Sequence, residues 1–270
     1  MVCSETSRMV RIFLLLVIAF GLLGALPSQG QAQSLLALES DSKIQPYSAV
    51  GRLTLAGTDI CTGTLIDPNT VLTAAHCLLD DSQSGVLDPS EVVFQAAYRN
   101  GKMIAEQRAA QITLHPDFRR SDRSLGLSNL RYDLALITLD APIKRPGLRP
   151  LGNPAPLRTG DSVGVVSYAM GRTEAPALQD LCAVLVETSG MVMLDCDIDK
   201  GASGAPVFAT IGGQPRIVSV IAALARQGGR KVALGSALAP ELDRLRAASR
   251  ETALTNGRIM RSGGAKFLRP

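Results

Sequence analysis

Past residue 33 the chain is built from short apolar runs separated by turn-forming residues. The runs fall at 50–56, 64–66, 71–73, 92–94, 134–139, 163–167, 183–186, 191–194 and 217–224. Most are shorter than a helix and rich in β-branched residues, which predicts an all-β chain. Between positions 142 and 156 stand Pro142, Pro146, Pro150, Pro154 and Pro156. Prolines at that density permit neither a helix nor a central strand. Residues 142–158 are therefore expected to link two β units, 34–141 and 159–254. Pro240 opens a short helix, with Leu242 and Leu245 on one face, that closes the second unit. Residues 255–270 carry glycines and no acids and read as a flexible basic tail.

Residues 1–33 have a different pattern. Arg8 and Arg11 precede an unbroken apolar run over 12–26, which Pro27 ends, and Gly30-Gln31-Ala32 offers a cleavage site. This is the layout of a secretory signal, and the run falls short of the roughly 20 residues a membrane span needs. The mature protein is thus expected to be secreted or periplasmic, with no stable membrane insertion once the signal is removed.

Composition changes this picture in two ways. Hydrophobic residues make up 46% of the chain, which excludes intrinsic disorder. The net charge of +4 invites a nucleic-acid partner, but the charge sits at the ends. The signal contributes +1 and the tail +4, leaving −1 for residues 34–254. Basic and aromatic residues do not interleave anywhere, so no nucleic-acid partner is expected.

Loss of Cys3 with the signal leaves Cys61, Cys77, Cys182 and Cys196, an even number in an oxidising compartment. No two are close enough for a zinc knuckle, so no metal site is expected. Residues 181–188 and 191–198 resemble two strands around a three-residue turn at 188–190. Cross-strand partners would then sum to 378, as Cys182 and Cys196 do, which predicts a disulfide between them.

Three segments carry chemistry. Residues 71–77 read Val-Leu-Thr-Ala-Ala-His-Cys, with Cys61-Thr-Gly-Thr-Leu upstream; residues 133–139 read Asp-Leu-Ala-Leu-Ile-Thr-Leu; residues 201–206 read Gly-Ala-Ser-Gly-Ala-Pro. A serine hydroxyl attacks a carbonyl only when a base removes its proton, and imidazole titrates in the range that suits this task. In these motifs and in the order His, Asp, Ser, the chain resembles the trypsin-like (chymotrypsin-fold) serine proteases. The resemblance extends from about Gly51 to Leu245. It implies two packed antiparallel six-stranded β-barrels with a short C-terminal helix, and an active site in the cleft between them. It implies His76 as general base, Asp133 as its orienting carboxylate and Ser203 as nucleophile of an acyl-enzyme mechanism. The amides of Gly201 and Ser203 would form the oxyanion hole. The same resemblance implies a Cys61–Cys77 disulfide bracketing the hairpin that leads to His76. His115, in a His-Pro-Asp-Phe segment, matches a structural loop of the family. A protein or peptide substrate, no cofactor and a monomer complete the expectation.

The chain departs from the family pattern at Ala202, where an acid usually precedes the serine and pairs with a newly freed N-terminus. No Ile-Val-Gly-Gly-like start precedes Val50. This resembles the bacterial glutamyl-endopeptidase-like branch, and chains beginning at Ser34 and near Ile44 should then be similarly active. For the specificity pocket, Asp197 occupies the family's pocket-base position, with Ile221 and Ala222 on the opposite wall. Asp197 would favour cleavage after Arg or Lys, the apolar wall would equally suit a small or apolar residue, and the missing wall histidine leaves a glutamate preference without support. The alternative is a catalytically silent homologue acting as a binding module, although no triad member is lost.

Overall fold

The computed structural model describes residues 35–80, 85–119 and 127–262. The expected signal, 1–33, and the last residues of the expected tail, 263–270, lie outside them. The described chain is mostly β and forms two antiparallel units. The first comprises β2 (Val50–Leu55), β3 (Asp59–Asp67), β4 (Thr70–Thr73), β5 (Val92–Ala96), β6 (Ala105–Leu114) and β7 (Ala135–Leu139). These close into a six-stranded barrel in the order β2-β3-β4-β7-β6-β5. Their alternating burial fills the interior with Leu53, Leu65, Val71, Phe94 and Ile137. Every apolar run read as a strand in this half is one. The β6 strand escaped the pattern because Glu106 and Arg108 are exposed along it and most of its remaining residues are only half-buried.

The second unit uses β1 (Leu36–Ala37), β8 (Ser162–Ala169), β9 (Arg172–Thr188), β10 (Met191–Leu194), β11 (Pro206–Ile211), β12 (Gln214–Gln227) and β13 (Arg230–Ala237). Their order is β1-β9-β10-β13-β12-β11-β8, and β8 also pairs with β9. Six strands thus return upon themselves, while β1 is added outside on β9. No strand or helix forms between β7 and β8, where the prolines stand.

The β9–β10 hairpin departs from the expected turn. Thr188 pairs with Met191, so the loop has two residues, Ser189 and Gly190, both at positive φ (50° and 82°). Partners at the turn therefore sum to 379. A bulge then shifts the register, so that Leu194 faces Val184 and the sum becomes 378. Cys182 and Cys196 are disulfide-bonded with Cα atoms 5.1 Å apart, and Cys61 and Cys77 with theirs 6.4 Å apart.

Between the two units lies a shared core. Ile66, Leu72, Leu134 and Leu136 from the first meet Val166, Tyr168, Phe208 and Ile217 from the second. The segment before β2 enters the same core. β1 pairs Leu36 with Leu178 and Ala37 with Ala177, and Leu38 is 1% exposed. The Ser40 side chain caps the short helix α1 (Asp41–Ile44), which buries Ile44. A start near Ile44 would therefore remove a strand and a core leucine that a start at Ser34 keeps. Among the described residues the further α-helices are α2 (Leu127–Leu130) and α3 (Leu242–Ser262), and α3 buries Leu242 and Leu245 as its spacing predicted. It extends through residues 255–262, where a flexible tail was expected.

Two measurements check these assignments. Leu38→Ala should destabilise the protein by about 3 kcal/mol through lost burial and a residual cavity, read by denaturant unfolding. Cys182→Ser should cost about 3 kcal/mol in oxidising buffer, and an unchanged melting temperature would rule out a contributing bridge.

Candidate active site

His76 lies in the 3-10 turn Ala75–Leu78 that follows β4, and Asp133 stands just before β7. Strands β4 and β7 are hydrogen-bonded neighbours, which brings the two residues together from 57 positions apart. The Asp133 Oδ2 atom lies 2.6 Å from His76 Nδ1, and Oδ1 accepts the His76 backbone N–H at 2.9 Å. The carboxylate is fully buried, so these two bonds replace its water. They orient the imidazole and assign the Nδ1 proton to the side facing Asp133. Nε2 is left as the acceptor. Burial by itself would lower the imidazole pKa, but the charge of Asp133 and its hydrogen bond outweigh that and hold it above the ordinary 6.5.

The Asp133 segment is anchored from several directions. The amides of Tyr132 and Asp133 donate to the carbonyls of Asn129 and Leu130. Ser236 Oγ, from β13 in the other unit, donates to Leu130 O at 2.6 Å. His115 is buried and stacks on Tyr132 with ring centroids 5.0 Å apart. Its Nδ1 accepts the Asp117 N–H at 3.2 Å, which assigns the proton to Nε2, donated to Glu241 at the foot of α3. Burial pulls the His115 pKa down, in keeping with this neutral ring.

Ser203 is half-buried on the loop before β11. Its carbonyl accepts the Thr62 N–H at 2.9 Å. Thr62 neighbours Cys61, whose disulfide to Cys77 reaches the residue after His76, so a short covalent path joins the serine loop's contact to the imidazole. Gly204 lets the loop come this close, because an added Cβ would run into the Thr62 carbonyl and Thr73 Oγ1. Gly201 has φ +91° and, with His76, lines a cleft of about 600 Å³ walled by Leu55, Ile60, Met170 and Lys200.

The three residues named for a specificity pocket differ in exposure. The Asp197 side chain is 61% exposed and pairs with Lys231 Nζ at 3.4 Å, and the same lysine holds Asp199 at 3.2 Å. Sequence reading missed Lys231, because nothing along the chain indicates that the β12–β13 hairpin returns to residues 197–199. Ile221 and Ala222 are buried at 1% and 2% exposure. Among the described residues no cluster of metal-ligating side chains occurs, and no helix is long and apolar enough to cross a membrane.

The trypsin-like peptidase domain model matches residues 61–214, more than half of the chain and the whole stretch from Cys61 past Ser203. The chain belongs to the trypsin-like peptidase domain family. It is also similar to a protein described as "Trypsin" from Saccharopolyspora erythraea, 28% identical over 105 residues. That alignment covers 38% of this chain and 41% of the relative, so less than half of the relative's length is matched. Family membership supports a serine protease-type function, and it fits the two disulfides found here.

The ionisation of His76 is directly measurable. Its ring-proton resonances should titrate above pH 6.5, and Asp133→Asn should move that midpoint down, since the charge that raises it is removed.

Proposed function

We propose that the protein is a secreted or periplasmic serine endopeptidase that hydrolyses peptide bonds through an acyl-enzyme, with Ser203 as nucleophile, His76 as base and Asp133 as its orienting carboxylate. The observation that carries this reading is the doubly bonded, fully buried Asp133 on His76, at 2.6 and 2.9 Å. A carboxylate at Nδ1 leaves Nε2 free to take the serine proton and stabilises the imidazolium that results. Nε2 then returns the proton to the leaving amine, and a second cycle with water releases the acid. The amides of Gly201 and Ser203 would hold the oxyanion formed in both halves. Signal-like residues 1–33 and the two disulfides support export.

Placement in the glutamyl-endopeptidase-like branch rests on Ala202, which is buried at 0% exposure among apolar residues where an acid would otherwise pair with a new N-terminus. Cleavage after Arg or Lys has little support, because the exposed Asp197 carboxylate already has a cation beside it. Asp197→Asn should accordingly leave residue preference in a peptide library unchanged.

Ser203→Ala should lower kcat on the order of 10⁶-fold, and Asp133→Asn about 10⁴-fold, the costs typical of triad removals. Because the His76 pKa is raised, kcat/KM should fall as pH drops through a value above 6.5, where the base becomes protonated. A folded wild-type protein that neither hydrolyses peptides nor reacts with a fluorophosphonate at Ser203 would instead be the silent binding module.

A further inference from the structure

The acid that usually orders the oxyanion loop is replaced by Ala202, yet the loop is held. The bonds that hold it include the Ala205 N–H to the Ala202 carbonyl at 2.9 Å, the Gly204 N–H to the Ile221 carbonyl at 2.8 Å, and three to Met170 and Thr62. The Met170 N–H donates to the Lys200 carbonyl at 2.8 Å. In a trans peptide the N–H points opposite to the C=O, so this bond turns the Gly201 N–H away from Met170. The next carbonyl, that of Gly201, accepts the Thr62 hydroxyl at 3.1 Å. The carbonyl after Ala202, that of Ser203, accepts the Thr62 backbone N–H at 2.9 Å. Thr62 thus grips both residues whose amides would bind the oxyanion.

The Thr62 hydroxyl is itself fixed. It is 0% exposed and accepts the Tyr168 N–H at 3.0 Å, and of the two carbonyls within reach of its single proton that of Gly201, at 3.1 Å, is nearer than that of Tyr168, at 3.5 Å. The Thr62 carbonyl accepts the Thr73 hydroxyl at 2.9 Å, tying it to the strand that leads to His76. Ala202 contributes no charge, and its N–H closes a local turn on the Asp199 carbonyl at 3.0 Å.

We propose that Thr62 is a positioning residue for the oxyanion hole: its hydroxyl fixes the Gly201–Ala202 peptide and its amide the Ser203–Gly204 peptide, the two planes that flank the Ser203 N–H, so that the Gly201 and Ser203 N–H groups, turned by the Met170 and Ala205 bonds, stay aimed before substrate arrives. This rests on the reading of Ser203 as nucleophile. It assigns to a neutral hydroxyl on the first barrel the task that a buried ion pair performs elsewhere in the family, and it needs no proteolytically freed N-terminus. The hydroxyl acts through Gly201 and touches no reacting atom, so its loss should weaken transition-state binding without changing substrate binding.

The test compares Thr62→Val, which keeps the shape and removes the hydroxyl, with Thr62→Ser, which keeps the hydroxyl. In the full chain, kcat and KM are measured on a peptide amide, alongside affinity for the matching peptide aldehyde, whose adduct carries an oxyanion. Thr62→Val should lower kcat by about 10- to 100-fold, with KM within about threefold of wild type, and weaken the aldehyde by a similar factor. Thr62→Ser should recover most of the loss. If the valine protein does not fold, Thr62→Ala replaces it, since alanine and serine both lose the methyl group and differ only in the hydroxyl. Wild-type kcat and aldehyde affinity in Thr62→Val, or equal losses in the serine and alanine variants, would overturn the proposal. A wild-type protein inert toward fluorophosphonate would instead overturn the nucleophile assignment, and this proposal with it.

Discussion

The candidate site depends on how closely two β units meet at Thr62 and Ser203. Strand β3 and the loop before β11 approach until a main-chain N–H of one reaches a main-chain carbonyl of the other, at 2.9 Å. Such an approach needs a residue without a side chain, and Gly204 supplies it. It also needs a rigid backing, which the mixed core of Leu72, Leu136, Val166, Tyr168 and Phe208 provides. Tyr168 is central to that backing. Its ring is fully buried, its hydroxyl donates to the Tyr98 carbonyl at 2.8 Å, and its amide orients Thr62. Burial raises the phenol pKa, which keeps it a donor.

Asp133 imposes the second demand. A carboxylate withdrawn from water costs several kcal/mol unless hydrogen bonds replace its hydration. Both of its oxygens are satisfied by one residue, His76, so the acid and the imidazole position each other. The surrounding loop is held by Ser236 from the second unit and, through the Tyr132–His115 stack, by Glu241 at the base of α3. A buried network of this kind explains why the C-terminal helix belongs to the domain rather than decorating it. It also gives His115 a structural role, consistent with its neutral, doubly bonded ring.

The second disulfide shows how a local argument can reach the right pairing through the wrong geometry. A three-residue turn and an even register would place Cys182 opposite Cys196. The chain instead forms a two-residue primed turn, which fits the strand twist better, and a bulge beyond it restores the offset. Residue sums alone cannot separate those two routes, because both end at 378.

What the sequence by itself determined is what depends on nearest neighbours and side-chain chemistry. Short, β-branched apolar runs specified most strands, the proline cluster marked a stretch without strand or helix, and three short motifs singled out His76, Asp133, Ser203 and Gly201 as candidates. Polar-faced β6 was illegible because its burial is decided by strands distant in sequence. Only the tertiary structure decided that Leu36 to Ile44 belong to the core, that Lys231 returns to neutralise Asp197 and Asp199, and that Thr62 holds the loop carrying Ser203. Each is a contact across dozens of residues, set by the pairing of strands and the meeting of two sheets. Thr62 was in plain sight between Cys61 and Gly63, but a threonine in a strand looks like any β-branched residue until its hydroxyl's partner is known.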